Sequence, residues 1–184
     1  LIGLSADEQD EIDNLLHELD ETDNFQKIGG NTAYAISLAC ADAAADSYAL
    51  PLFQYLGGSL ANDLPYPLGN VLGGGKHAIG KAPDIQEFLA LPVGAPNFMK
   101  AAEANALVHQ RVGSILKKVD STFTGGRGDE GAWAPNATND VALEAVAKAC
   151  EEVSTEIGFE VRPGLDVAAS SLWDEKEKGY IYTR

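Results

Sequence analysis

The feature that most constrains the fold is the order of short apolar runs and long amphipathic helices along the chain. Apolar runs at 66–72 and 85–91 predict two strands of a hairpin-like pair, and the run at 161–169 predicts a buried strand. Between the second and third runs, apolar residues recur at helical spacing over 97–118 and again over 140–157. Strands that alternate with helices of this length indicate an α/β architecture.

The N-terminal part of the chain is predicted to be helical. Ser5 and Glu8 form a capping-box pattern, and apolar residues then recur at helical spacing up to Leu19. Asn31 or Thr32 is expected to cap a second helix, which is rich in alanine.

A domain boundary is expected shortly after these helices. Leu50-Pro51 ends the second helix, because proline cannot continue it, and residues 52–56 add one further turn. The helical spacing of apolar residues is lost between 58 and 64. We therefore expect a helical domain over 1–60 and an α/β domain over 61–184.

The charge of the chain excludes several classes of partner. Twenty-eight acidic against thirteen basic residues give a net charge of −15, so nucleic acid and anionic membrane surfaces would be repelled. No run approaches the length of about 18 apolar residues that a membrane helix needs. The acidity suggests adaptation to a salt-rich cytoplasm, and Cys40 and Cys150 are expected to be reduced, buried thiols.

Three acidic residues occur where a purely structural pattern would not require them. Asp166 lies in an apolar run, where a carboxylate is costly unless it is paired or binds a cation, or is satisfied by structural contacts. Glu130 lies between glycines, which allow close approach to a ligand but also occur in ordinary acidic turns. Glu87 is functional if its face of the strand points inward, and a surface residue if it points outward.

A histidine follows three consecutive glycines. His77, after Gly73-Gly74-Gly75-Lys76, could act as an acid, a base or a phosphate contact near neutral pH. The glycines match neither of the common phosphate-binding fingerprints, and the loop that contains them is expected to be long and mobile. His17 and His109 lie on predicted helices and are expected to be structural or exposed.

The order of these segments resembles that of the enolase family over essentially the whole chain. The motifs that carry the resemblance are NVLGGGKHA at 70–78, DIQEFLALPVGAP at 84–96, GDEGAWAPN at 128–136 and GLDVAAS at 164–170, together with GNTA at 30–33 and ALPL at 49–52. Gly73 stands where the family commonly has Asn, and Ala132 where a second Gly is usual.

The resemblance implies a role for each candidate residue. Asp166 matches the first of three carboxylates that hold the catalytic Mg²⁺. Glu130 matches the acid that assists departure of the 3-hydroxyl, and Glu87 the second glutamate that works with it. His77 matches a loop histidine that closes over the substrate phosphate, Gln86 matches a neighbouring substrate contact, and Glu87 also lies on the substrate side.

The resemblance also implies an activity and an architecture. The implied reaction is the Mg²⁺-dependent, cytoplasmic interconversion of 2-phosphoglycerate and phosphoenolpyruvate by a homodimer or higher homo-oligomer. The expected architecture is the helical remainder of an α+β capping domain followed by the opening part of a (β/α) barrel. The family's catalytic lysines and two further metal carboxylates match nothing in this chain, which begins at Leu1. We therefore expect a fragment that is inactive by itself.

Two alternatives remain open. The chain could act as a non-catalytic acidic interaction or metal-binding module, or it could belong to an enolase-superfamily enzyme with another acid substrate. The GDEG segment at 128–131 and the His77 loop argue against the latter, because they are features of enolase itself.

Overall fold

The computed structural model describes residues 1–78 and 82–184, and these form two compact units, Leu1–Asp63 and Leu64–Arg184. The division follows Asp63, which lies within the 58–64 region where a boundary was expected and three residues beyond the expected domain end at 60. Residues 79–81, which belong to the loop that was expected to be mobile, lie outside the described residues. No helix of the described chain is both long and apolar enough to span a membrane.

The first unit is helical, as predicted. It consists of α1 (Gln9–Asp20), α2 (Gly30–Ser47) and α3 (Leu52–Gly57). Ile12 and Leu16 of α1 pack against Ala33 of α2 and form the small core of this unit.

Neither predicted N-cap lies directly before its helix. The Ser5 backbone N–H donates to Glu8 Oε2 at 3.2 Å, which is one of the two bonds of the predicted capping box. Residues 5–8 nevertheless form a turn, and α1 begins only after Glu8. The second helix begins after Gly29 rather than after Asn31 or Thr32. Gly29 has a φ of 86°, a conformation that favours glycine, and it turns the chain into α2 two residues before Asn31.

A buried carboxylate organises the turn between α1 and α2. Asp20 is fully buried and accepts hydrogen bonds from the backbone N–H groups of Lys27 at 2.8 Å and Ile28 at 2.7 Å, and from the Thr22 hydroxyl. Burial raises the pKa of Asp20, but these hydrogen bonds outweigh it and hold the pKa below its usual value. These hydrogen bonds satisfy the buried carboxylate, and they hold together a turn that has no helix or strand of its own.

The second unit is a three-stranded sheet covered by two long helices. Its main elements are β1 (Gly69–Gly73), β2 (Glu87–Leu91), α4 (Phe98–Val119), α5 (Asn139–Ile157) and β3 (Arg162–Asp166). A 3₁₀ turn over Gly75–His77 follows β1, another over Ala169–Ser171 follows β3, and β4 (Trp173–Asp174) pairs with β5 (Gly179–Tyr180). The predicted helices and the hairpin-like strand pair are confirmed.

The helix ends explain why α4 and α5 form where they do. The Asn97 side chain accepts from the Lys100 backbone N–H at 2.9 Å, and the Thr138 hydroxyl accepts from the Val141 N–H at 3.3 Å. Gly158 ends α5 with a φ of 78°. The apolar faces of both helices then pack on the sheet. The largest fully buried side chains of this core are Val71, Leu72, Phe88, Val108, Val112, Leu116, Val146 and Val153.

The strands of this sheet alternate in direction, because β2 is antiparallel to both β1 and β3. The carboxyl ends of β1 and β3 therefore meet the start of β2 at one edge of the sheet, and Glu87 pairs with both Gly73 and Asp166 there. The described residues form no closed barrel, in agreement with the expected opening part of one.

The third strand is not buried, contrary to the prediction for 161–169. Val161 is buried, but Arg162, Pro163, Leu165 and Asp166 are exposed. The reason is that β3 lies at the end of the strand order and pairs only with β2 in the part of the chain that the structure describes. Cys40 and Cys150 are both free thiols; Cys150 is buried, which raises its pKa to about 11, but Cys40 is only half-buried.

Candidate functional site

The loop that carries Glu130 is fixed to the sheet by Trp133. The backbone of Trp133 bonds to β1 on both sides, donating to the Val71 carbonyl at 3.1 Å and accepting from the Gly73 N–H at 2.8 Å. Its indole N–H donates to the His109 carbonyl at 2.7 Å, and the ring stacks on the His109 ring. The loop is therefore held between the strand edge and α4 rather than free in solvent.

A glycine in the middle of α4 makes room for this tryptophan. A Cβ at Gly113 would lie 2.7 Å from the indole ring, closer than any side chain tolerates. Glycine in a helix interior is otherwise unfavourable, so close approach is the physical reason for Gly113.

Glu130 itself is held by a residue of β1. Its Oε2 accepts a hydrogen bond from the Asn70 side-chain amide at 2.9 Å. Gly131, the next residue, has a φ of 83°, and its carbonyl lies 3.1 Å from His109 Nε2. The orientation of Glu130 is therefore set from both sides of the loop, although its side chain remains half exposed.

Glu87 lies at the start of β2 and is largely enclosed. Its side chain is 17% exposed, so it points inward, which is one of the two orientations that the sequence left open. Burial, followed by the negative charges of Glu130 and Asp166, raises the pKa of Glu87, while His77 acts in the opposite sense. A carboxyl in this setting retains its proton to a higher pH than an ordinary glutamate.

His77 ends the 3₁₀ turn and points between carboxylates. Its Nδ1 lies 3.6 Å from Glu130 Oε2, 3.7 Å from Glu87 Oε1 and 4.0 Å from Asp129 Oδ1. This nitrogen is buried and has no hydrogen-bond partner among the described residues. Histidine and carboxylates therefore share one small volume without direct hydrogen bonds between them.

The glycines around His77 are required by close backbone contacts. A Cβ at Gly74 would lie 2.4 Å from the carbonyl oxygens of Pro83 and Ile85, and one at Gly128 would lie 2.5 Å from the His77 carbonyl. Gly128 thus lets the Glu130 loop approach the His77 turn, and Gly74 lets that turn approach the segment before β2. Their role in this structure is close approach of backbone to backbone.

Asp166 is adjacent to this cluster but not part of it. It lies opposite Glu87 in the β2–β3 register, is exposed, and accepts from the Ala168 N–H at 2.9 Å. Ligand atoms of His77, Glu87 and Glu130 all lie within 4.8 Å of one another, and Asp166 is not in that group. An exposed carboxylate suits Mg²⁺, which binds to one or two carboxylates and retains several waters.

Gln86, the remaining candidate, is half-buried and directly precedes β2. Its carbonyl accepts from the Gly74 N–H at 2.8 Å, so its backbone connects the start of β2 to the glycine turn.

Sequence reasoning missed several residues that shape the site. Asn70 was part of a quoted motif but received no role, although a polar residue in an apolar strand run was a usable signal. His109, which was expected to be structural or exposed, is structural: it is half-buried beneath the Glu130 loop and contacts the Gly131 carbonyl. Asp84 accepts from the Thr183 hydroxyl at 2.7 Å, from the Arg184 N–H at 2.6 Å and from the Asn139 amide at 3.2 Å.

Asp84 ties three segments together just ahead of β2. Burial raises the pKa of Asp84, but the hydrogen bonds, that of Thr183 first, outweigh it and hold the pKa below its usual value. Asn139 also accepts from the Ile85 N–H at 3.1 Å, so the start of α5 is connected to the approach to Glu87.

Comparisons with known proteins cover both units. A family model described as "Enolase, N-terminal domain" matches residues 1–56, and one described as "Enolase, C-terminal TIM barrel domain" matches residues 61–183. The chain is 56% identical over 184 residues to an enolase of Methanosphaera stadtmanae, covering 100% of this chain and 44% of that protein. It is 53% identical over 182 residues to an enolase of Methanothermobacter thermautotrophicus, covering 99% and 44%. It is 50% identical over 184 residues to one of Haloarcula marismortui, covering 99% and 45%. The chain thus spans less than half the length of these relatives.

Proposed function

Because the chain belongs to the enolase family, we propose that it forms part of a lyase that interconverts 2-phospho-D-glycerate and phosphoenolpyruvate plus water. The observation that carries the proposal is the convergence of His77, Glu87 and Glu130 beside Asp166 at one edge of the sheet. These residues come from four separate segments, and packing alone does not require so many charged groups at one edge.

Elimination of the 3-hydroxyl requires a proton for the leaving oxygen, and the two glutamates are suited to supply it. Burial, followed by the charges of Glu130 and Asp166, raises the pKa of Glu87, so this carboxyl retains its proton to a higher pH than an ordinary glutamate. We assign delivery of that proton to Glu130, because it is the more exposed of the two carboxyls and is oriented by Asn70. Glu87 would then be the carboxyl that holds the proton before Glu130 donates it to the leaving oxygen.

The remaining candidate residues are assigned to the metal ion and the substrate. Asp166 would contribute one carboxylate to bound Mg²⁺, which neutralises the negative charge that develops when a proton is removed next to a carboxylate. His77 and Gln86 are proposed to contact the substrate, with His77 at the phosphate end. We assign the protein to glycolysis in the cytoplasm, as a homodimer or higher homo-oligomer.

Activity assays on the full-length polypeptide test this proposal. Formation of phosphoenolpyruvate from 2-phosphoglycerate, followed by absorbance in the presence of Mg²⁺, is the expected result. D-Glycerate, which lacks the phosphate, should not react. Turnover of the unphosphorylated acid instead would assign the chain to another enolase-superfamily activity.

A metal-binding module without catalysis is the second candidate, and the His77–Glu87–Glu130 cluster favours it over other non-catalytic roles. The two candidates differ in what they need. The lyase needs groups that this chain lacks, so the 184 residues alone should give no measurable phosphoenolpyruvate, because catalytic groups act as a unit. A metal-binding module would be complete within the chain.

A further inference from the structure

We propose that Asn70 is a positioning residue of the lyase, which keeps Oε2 of Glu130 as a hydrogen-bond acceptor and thereby leaves Oε1 as the oxygen that carries the proton. This role rests on the proposed function, because it concerns the proton that Glu130 is assigned to deliver. It adds to that function the residue that decides from which oxygen the proton leaves.

A bulge in β1 aims Asn70 at the loop of Glu130. The register with β2 shifts between Asn70 and Leu72, so Val71 is an extra residue on the β1 side of the pairing. Val71 and Leu72 are buried in the core, whereas Asn70 is half-buried and reaches Glu130. Bulges of this kind redirect a side chain next to a functional site.

The loop of Glu130 is attached to β1 at the same bulge. The Val71 carbonyl accepts from the backbone N–H of Trp133 at 3.1 Å, three residues after Glu130. The main chain and the side chain of the loop thus contact two adjacent residues of β1, Val71 and Asn70. The position of Glu130 relative to Asn70 is therefore set by the sheet.

The two oxygens of the Glu130 carboxyl have different surroundings. Oε2 lies 2.9 Å from Asn70 Nδ2 and 3.6 Å from His77 Nδ1, whereas Oε1 accepts no hydrogen bond from the described residues. The separation from His77 is too long for Oε2 to donate a proton to that nitrogen. The carbonyl oxygen of a protonated carboxyl accepts better than its hydroxyl oxygen, so the Asn70 amide favours Oε2 as the carbonyl and Oε1 as the hydroxyl.

The contact strengthens as the proton leaves. The Oε1–H bond breaks and its proton goes to the 3-hydroxyl oxygen, which departs as water with the electron pair of the C–O bond. The electron pair left on C2 by proton abstraction forms the C=C bond. Glu130 is left as a carboxylate, so its hydrogen bond from Asn70 becomes charge-assisted and roughly twice as strong. An interaction that is stronger in the transition state than in the ground state raises kcat and changes KM little.

Steady-state kinetics of the full-length polypeptide test the proposal. Asn70→Leu keeps the approximate shape of the side chain without its donor, and Asn70→Ala removes the side chain. We expect kcat to fall by about 10–100-fold in both, with KM within about threefold of the unchanged protein. Thermal unfolding in circular dichroism shows which variants fold, and two variants of different volume keep the comparison decisive.

Asn105→Ala is the matched control. The Nδ2 of Asn105 also donates at 2.9 Å, and its Oδ1 is also buried without a partner among the described residues, but it donates to the Pro67 carbonyl rather than to a carboxyl. Its loss is expected to lower the melting temperature and to leave kcat within about twofold of the unchanged protein.

A second comparison separates positioning from a structural role. Glu130→Gln has no proton to direct, so Asn70→Leu added to it should lower the residual rate by at most about twofold, although the same substitution costs about 10–100-fold alone. An asparagine with a structural role only would cost the same factor in both backgrounds.

Three results would overturn the proposal. These are a kcat within about twofold of the unchanged protein in both Asn70 variants, a higher KM with kcat unchanged, or equal losses with and without Glu130→Gln. If the unchanged protein is active, each of them leaves the lyase assignment standing. An unchanged full-length protein that forms no phosphoenolpyruvate would instead overturn the lyase assignment, and this role of Asn70 with it.

Discussion

Glu87 and Asp166 face each other across the β2–β3 pairing, so two carboxylates that are 79 positions apart in the sequence share one edge of the sheet. Because β2 is antiparallel to its neighbours, the residue that begins β2 lies beside the residue that ends β3. This relationship brings the proposed proton-holding pair next to the proposed Mg²⁺ ligand.

The enclosed carboxyl of Glu87 predicts that the stability of the fold depends on pH. The pKa of Glu87 is raised in the folded state, so its ionisation opposes folding: its contribution is favourable at low pH and is lost as the pH rises through the folded pKa. Glu87→Gln removes this ionisation. We expect a higher melting temperature than the unchanged chain at pH 7, and a much smaller difference near pH 4, as measured by thermal unfolding in circular dichroism.

The matched control for that experiment is Glu151→Gln, an exposed position on α5. It should change the melting temperature little at either pH. A lower melting temperature for Glu87→Gln at pH 7 would show that ionised Glu87 is stabilising, and that burial and the neighbouring carboxylates do not raise its pKa.

The Mg²⁺ assignment predicts a defect that metal can repair. In the full-length polypeptide, Asp166→Asn should weaken Mg²⁺ binding because it removes a charged oxygen ligand. Turnover should therefore be low at ordinary Mg²⁺ and partly recover as Mg²⁺ is raised, which a metal titration of the rate would measure. Turnover that is low and independent of Mg²⁺ would place Asp166 in another role.

The close contact between Gly113 and Trp133 predicts that Gly113→Ala destabilises the fold, although the same substitution stabilises most helices. Alanine is normally favoured over glycine in a helix by about 1 kcal/mol. At Gly113 the added Cβ meets the indole at 2.7 Å, and overpacking of this kind costs about 1–3 kcal/mol. Gly113→Ala should therefore lower the free energy of unfolding in denaturant titrations.

The same substitution provides its own control. In a Trp133→Phe background, the indole atoms that an alanine would meet are absent, and Gly113→Ala should become neutral or stabilising. Destabilisation of equal size in both backgrounds would mean that the glycine is required for a reason other than room for Trp133.

The acidity of the chain predicts a dependence on salt. A net charge of −15 produces repulsion that opposes the compact state, and salt shortens its range from about 30 Å at 0.01 M to about 3 Å at 1 M. We expect the melting temperature to increase steadily from dilute buffer to molar KCl. A melting temperature that is flat or falls across this series would show that the acidity is incidental.

Local patterns predicted much of the fold because they act over a few residues. Apolar spacing located α4 and α5, and Gly158 marked the end of α5. The cap of α2 was misplaced because Asn31 and Thr32 both suit a cap chemically, whereas Gly29 supplies the backbone conformation that turns the chain. The exposure of β3 depends on which strands flank it, and its own residues do not encode that.

The site was only partly predictable for a similar reason. Motif resemblance selected Glu87, Glu130 and Asp166 as candidates, but their mutual distances depend on strand direction. The Asn70 contact with Glu130 spans 60 positions in the sequence, and no local pattern indicates a contact at that range. Likewise, the glycines before His77 match neither common phosphate-binding fingerprint, and their close backbone contacts emerge only when the chain is folded.

Glu130 is proposed to be the group that delivers the proton to the departing hydroxyl. The most direct measurement is the steady-state rate of phosphoenolpyruvate formation by the full-length polypeptide carrying Glu130→Gln, with saturating Mg²⁺ and Glu151→Gln as control. Because glutamine keeps the size of the side chain but has no proton to donate, the rate should fall by about 10²–10⁴-fold while the control is unaffected. A Glu130→Gln rate within a few-fold of the control, or one restored by additional Mg²⁺, would contradict the assignment.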